Sequence, residues 1–214
     1  MTKSLKEKNR PQLIVFAIAN AIGLAVLLKG LNQILLLLDS ATKGNIGILG
    51  RIIAVPAALA FVIGVLSWAM PKRWKEIMIF WRIHDCLPSN RAFTVAAHKD
   101  HRIDRGRLTE KYRDLPSRPA QQTTLWYNMY KKNEHDATVE DAHCAYLRYR
   151  EMTALVAIVM VCFVAASALV HPSSRTITTG ILIIVAECLL LFLAAPNAAD
   201  HFVANVLAIA TTAD

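Results

Sequence analysis

Four apolar stretches dominate the chain: Leu13–Leu38, Ile52–Met70, Ala154–Val170 and Ile177–Ala195. Each approaches the roughly 20 residues that a helix needs to cross hydrocarbon, where a backbone N–H or C=O has no water to bond and must be paired within the helix. A chain of 214 residues that is 55% hydrophobic, with a mean hydropathy of +0.36, is too apolar for an ordinary water-soluble domain. The stretches therefore predict an all-α integral membrane protein, a four-transmembrane-helix bundle with a mostly helical cytosolic insert between helices 2 and 3. The expected organisation is a basic N-terminus at 1–12, a transmembrane hairpin at 13–70, the insert at 71–152, a second hairpin at 153–195 and a cytosolic C-terminal tail at 196–214. An insert of this size has only a marginal core of its own, so one structural unit is expected.

Charge placement sets the expected topology. The N-terminus carries Lys3, Lys6, Lys8 and Arg10 against Glu7, and the insert carries most of the remaining Lys and Arg. The two short connections, Asp39–Arg51 and His171–Thr176, hold only Lys43, Arg51 and Arg175. Positive charge marks the cytoplasmic side, so both termini and the insert are expected there. The first apolar run is too long for a signal-peptide core and is read as a retained span. The formal net charge of +8 fits this bias and attraction to anionic lipid headgroups better than nucleic-acid binding. Cys86 and Cys144 fall in the insert, and Cys162 and Cys188 in spans. A disulfide framework is not expected from that pattern.

The spans contain polar residues that hydrocarbon penalises. Asn20, Lys29, Asn32 and Gln33 lie in the first and Glu187 in the fourth. A charge at mid-membrane costs about 2.5–3.5 kcal/mol on insertion scales and seeks a partner or water. Counting about 1.5 Å per residue from the outer ends puts Lys29 and Glu187 at similar depth, which predicts an ion pair between spans one and four. Glu187 could otherwise serve an ion or proton pathway, or fix packing through an interhelical hydrogen bond. Small residues four apart at Ala19/Gly23 and Ala60/Gly64 permit close helix approach, within the bundle or in a homo-oligomer.

In the insert, Pro71 is placed to open a helix through KRWKEIMIFWRIHD. Trp74 and Trp81 among Lys72, Arg73, Lys75 and Arg82 read as interface anchors at headgroup level, and the segment could equally prolong the second stretch below the bilayer. Short helices are expected at Asp104–Tyr112 and Gln121–Lys132, the second with Leu125, Trp126, Met129 and Tyr130 on one stripe. Thr138 followed by Asp141 reads as a capping box opening a helix that continues into span three.

Two constellations have the residue types for chemistry: His84, Asp85, Cys86, His98, Asp100 and His101, and then His135, Asp136, His143 and Cys144. Neither has the paired-ligand spacing of a zinc site, and no nucleophile triad, phosphate loop or HExxH motif occurs. No metal, cofactor or catalytic residue is therefore expected. A basic cluster of Arg91, Lys99, Arg102 and Arg105, with Arg107 nearby, suits a phosphate group, since guanidinium makes bidentate phosphate contacts. The competing reading is an internal salt-bridge lattice with Asp85, Asp100 and Asp104.

The run HDCLPSNRAFTVAAHKDHRID, then QQTTLWYNMYK and YREMTAL, together with the C-terminal FVANVLA, resembles a family of small bacterial membrane proteins with the pattern LP-x-x-RAF, D-x-RID and QN-x-LWY. The resemblance covers roughly residues 80–155 and the tail. It departs at Gln122, where the pattern has Asn, and at Ser89-Asn90, where it has Gly-Cys. It implies a four-span protein of the bacterial inner membrane with no established catalysis, and an association with anti-phage defence. Arg91 and Arg102 lie inside its motifs. The expectation is a non-enzymatic sensor, effector or scaffold subunit whose insert binds a cytosolic protein partner or a phosphate-bearing ligand such as a nucleotide. The alternative is a small ion channel or transporter using Asn20, Lys29 and Glu187.

Overall fold

The computed structural model describes residues 4–29 and 46–212, except for the side chains of Lys29, residues 46–53 and Val55. Among the described residues every regular element is helical: α1 (Leu5–Lys29), α2 (Ile46–Ala69), α3 (Lys72–Phe80), a chain of short turns at Pro88–Lys99, α4 (Arg105–Tyr112), α5 (Pro119–Asn133), α6 (Ala137–Val170) and α7 (Ser174–Thr212).

Local chemistry explains most helix ends. Ser4 and Glu7 open α1 with a reciprocal box, Ser4 N–H to the Glu7 carboxylate at 2.9 Å and Glu7 N–H to Ser4 Oγ at 3.3 Å. Asp104 caps α4 by accepting from Arg107 N–H at 3.0 Å. Pro119 starts α5, at a position whose N–H would be unpaired anyway. The cap of α6 is Asp136 rather than the expected Thr138, because the Asp136 carboxylate accepts from the N–H groups of both Thr138 and Val139. His171, at φ 51°, terminates α6 in the left-handed region, and Ser173 Oγ then accepts from Thr176 N–H to open α7.

Among the described residues three helices are long and apolar enough to cross a membrane: Leu5–Leu28 of α1, α6 and α7. The described apolar run of α2, Pro56–Ala69, is shorter. The rest of the second expected stretch, and residues 30–38 of the first, fall outside the described side chains. Met70 and Pro71 separate α2 from α3, so the aromatic, basic segment is a helix of its own and not a prolongation of the second stretch.

The chain divides into two compact units. One comprises residues up to Asn9, Lys72–Arg150 and Phe192 onward; the other comprises Arg10–Pro71 and Glu151–Leu191. The first unit has a continuous apolar core drawn from Ala92, Phe93, Ile103, Leu108, Trp126, Met129, Val139 and Tyr146, closed by Phe202, Val203, Val206 and Leu207 of α7. The segment expected to be a tail is thus a helix that completes this core. Pro196 lies inside α7 without ending it. An internal proline costs about 3 kcal/mol. Burial of Ala199, Phe202, Val203, Val206 and Leu207 beyond it offsets that cost, at about 1.5–3 kcal/mol per large apolar side chain.

The second unit presents apolar side chains outward. Val15, Ile18, Phe61, Leu66, Val161, Leu169, Leu182 and Leu190 are all exposed, a surface unsuited to water over such an extent. Inside it, Phe163 of α6 is buried against Gly180 of α7, where any Cβ would collide with the phenyl ring.

Candidate functional site

The basic cluster lies on the turns and loop that follow α3 and on the first turn of α4. Pro88–Arg91 forms a 3-10 turn and Ala92–Ala96 a π turn. Such a start leaves N–H groups without intrahelical acceptors. Gln122 of α5 supplies them: it is 1% exposed, and its Oε1 accepts from Phe93 N–H at 3.0 Å and Thr94 N–H at 3.3 Å. Its Nε2 donates to the Ser117 carbonyl at 2.8 Å. One turn earlier, Thr123 bonds Asn90 and Ser89. Adjacent α5 residues therefore fix the segment that carries Arg91. Sequence reading noted Gln122 only as a departure from a motif; a glutamine one turn before the buried Trp126 was the available signal.

The four candidate ligand residues have different surroundings. Arg91 is half-buried, and its Nε is buried without a hydrogen-bond partner. Lys99 and Arg105 are exposed. Arg102 is committed within the fold: its Nε and Nη2 hold the Asp100 carboxylate at 3.0 and 2.6 Å, and Nη2 also donates to Asn205 Oδ1 at 3.0 Å. Asn205 in turn donates to the Thr138 carbonyl at 3.4 Å, so Arg102 straps its loop to α7 and to the start of α6. The hydrogen bonds from Arg102 hold the Asp100 carboxyl down at about 2. Arg107 pairs with Asp104 at 3.6 Å. The salt-bridge alternative thus accounts for Arg102 and Arg107, while Arg91 keeps an unpaired buried donor.

Among the described residues no group of three or more His, Cys, Asp or Glu side chains is arranged to hold a metal. His143 instead stacks on Phe202 at 4.4 Å between ring centroids, and its Nδ1 lies 3.1 Å from the Tyr130 hydroxyl. Trp126 and Tyr130 meet the same Phe202 ring edge-on, and Trp126 Nε1 donates to the Val203 carbonyl at 3.3 Å. Burial pushes the Tyr130 phenol up. Cys86 is buried against the Arg82 carbonyl.

The anchor residues are on the surface. Trp74 is 62% and Trp81 76% exposed, with Ile83 also exposed, whereas Lys75 and Glu76 are buried beside Ile79. Hiding two charges while displaying two tryptophans inverts the pattern of a water-facing helix.

In the second unit, Asn20 Nδ2 donates to Glu187 Oε1 at 3.0 Å. The expected Lys29–Glu187 pair involves a side chain outside the described residues. Asn20, which meets Glu187, lies nine residues and about 13–14 Å of helix rise before Lys29. Both residues line a groove of about 260 Å³ whose other lining residues are Ala19, Gly23, Leu24, Leu27, Val159, Ile183 and Ile184.

No family model, curated protein or solved structure matches the chain. The resemblance carried by residues 80–155 gains nothing from these comparisons, and the functional reading rests on the residues themselves.

Proposed function

We infer that this is a non-enzymatic multi-pass protein of the bacterial inner membrane, with both termini cytoplasmic, in which the insert senses a phosphate-bearing ligand or protein partner and biases the transmembrane bundle. The observation that carries the reading is the continuity of α6 and α7. They contain 34 and 39 residues, about 51 and 58 Å of helix, against about 30 Å of hydrocarbon. One end of each supplies core side chains around Trp126 and Phe202, and the other end is apolar and outward-facing. A ligand that favoured one packing of that core would bias both helices at once.

Arg91 is the proposed ligand contact, with Lys99 and Arg105 as supporting cations. A buried guanidinium N–H without an acceptor carries a desolvation cost that an incoming phosphate oxygen would remove. Trp74 and Trp81 would hold α3 at the headgroup layer. A four-span count, homo-oligomerisation and an anti-phage effector role complete the proposal; the last rests on the resemblance alone.

The test uses the full chain in lipid nanodiscs with inorganic pyrophosphate as probe, read by hydrogen–deuterium exchange. Pyrophosphate should slow exchange across 88–105 and alter it across 153–170, and Arg91→Ala should abolish both while helicity is retained. Binding indifferent to Arg91→Ala refutes the ligand site. Binding without any change in α6 refutes the relay. The second reading, a small channel or transporter using Lys29 and Glu187, is favoured by the Asn20–Glu187 contact. It would be indicated by liposome ion flux that Glu187→Gln abolishes and Arg91→Ala leaves intact.

A further inference from the structure

The groove between α1, α6 and α7 has a composition that membrane lipid does not explain. Seven of its nine lining residues are apolar, and the two polar ones, Asn20 and Glu187, are bonded to each other. Ala19, Gly23 and Ile183 are exposed along it, and a Cβ at Gly23 would meet nothing within 4 Å. Among the described residues nothing fills the space beside Gly23, and a carboxylate is part of the groove's lining. Acyl chains can cover apolar walls but offer nothing to a carboxylate, and a carboxylate facing hydrocarbon is costly.

We propose that this groove binds a lipophilic cation, an organic ammonium or phosphonium with an apolar body, whose charge sits against Glu187 and whose body fills the space beside Gly23 and Ile183. Asn20 is the positioning residue. Its amide holds Glu187 Oε1 at 3.0 Å and so fixes the carboxylate on the groove. The occupant follows from charge complementarity: apolar walls select the body, and the carboxylate selects the sign. The proposal is independent of phosphate sensing, since none of these residues belongs to the unit that carries Arg91.

The experiment measures tetraphenylphosphonium binding to the full chain in zwitterionic nanodiscs by equilibrium dialysis. Tetraphenylborate, of the same shape and opposite charge, is the control. Saturable phosphonium binding should weaken at least tenfold in Glu187→Gln, which keeps the side-chain shape and a hydrogen bond to Asn20. Gly23→Leu, which fills the groove and leaves the carboxylate in place, should weaken it comparably, and Arg91→Ala should not change it. Equal binding of both ions, phosphonium binding insensitive to either groove variant, or a cysteine cross-link at Gly23→Cys showing that a second copy covers the groove would each overturn the assignment.

Discussion

Replacing Gln122 with leucine keeps the side-chain volume and removes every hydrogen bond it makes. Phe93 N–H then has no acceptor in a buried position. An unmade buried bond of this kind costs about 1–3 kcal/mol. The Ser117 carbonyl loses its 2.8 Å donor but belongs to an exposed residue, so water recovers part of that loss and about 1 kcal/mol is expected there. Thr94 is exposed and turns to water. The sum is about 2–4 kcal/mol, concentrated on the π turn and the Arg91 segment, because apolar packing around position 122 is preserved. Hydrogen–deuterium exchange resolves the location. Peptides spanning 88–99 should lose protection by roughly 30-fold or more, at 1.4 kcal/mol per factor of ten, while those spanning 199–210 change less. Unchanged protection of 88–99 in Gln122→Leu, at unchanged midpoint of thermal unfolding, would show that Gln122 does not support the turn and that the argument is wrong.

Two further outcomes test the packing and the electrostatics. Gly180→Ala puts a methyl group into the Phe163 ring and should destabilise by about 1–3 kcal/mol; Phe163→Leu in the same chain should restore part of the loss, which thermal unfolding in detergent measures, and two purely additive losses would argue against the contact. Asp100 has a depressed pKa in the fold, so its bond to Arg102 contributes stability that is fully present above the ordinary value of 3.8 and is lost as pH falls through about 2. The pair is partly exposed, which limits the effect to about 0.2–1 kcal/mol. Asp100→Asn should flatten this acid limb of an unfolding-versus-pH curve, and an unaltered limb would refute the assignment.

Local sequence was enough for the features that depend on a few neighbouring residues. The apolar runs predict helices of membrane-crossing length because hydrocarbon forces backbone bonds to close within one segment, and α1, α6 and α7 reach that length among the described residues. The stripe of Leu125, Trp126, Met129 and Tyr130 predicts which face of α5 is buried, and Trp126 and Met129 are buried. Cap chemistry is legible too, although Asp136 outcompetes Thr138 at the start of α6 and the Ser4/Glu7 box was there to be read.

What depends on distant partners was not legible. The fourth apolar stretch ends at Ala195, yet α7 continues because Phe202 finds Trp126, Tyr130 and His143 far away in sequence. The same aromatic contacts turn His143 from a candidate ligand into a core side chain. Arg91 and Arg102 look alike as residues; only folding adds Asn205 to the neighbouring Asp100 on Arg102 and leaves the Arg91 Nε without a partner. Depth counting along the spans pointed to Lys29, whose side chain lies outside the described residues, and gave no sign of Asn20, which the helix packing brings to Glu187. The sequence by itself determined the solvent each segment suits, since hydropathy and periodicity are properties of consecutive residues. The tertiary structure decided which polar groups are consumed by the fold and which remain available to bind, because a hydrogen bond's partner is chosen by packing across the whole chain.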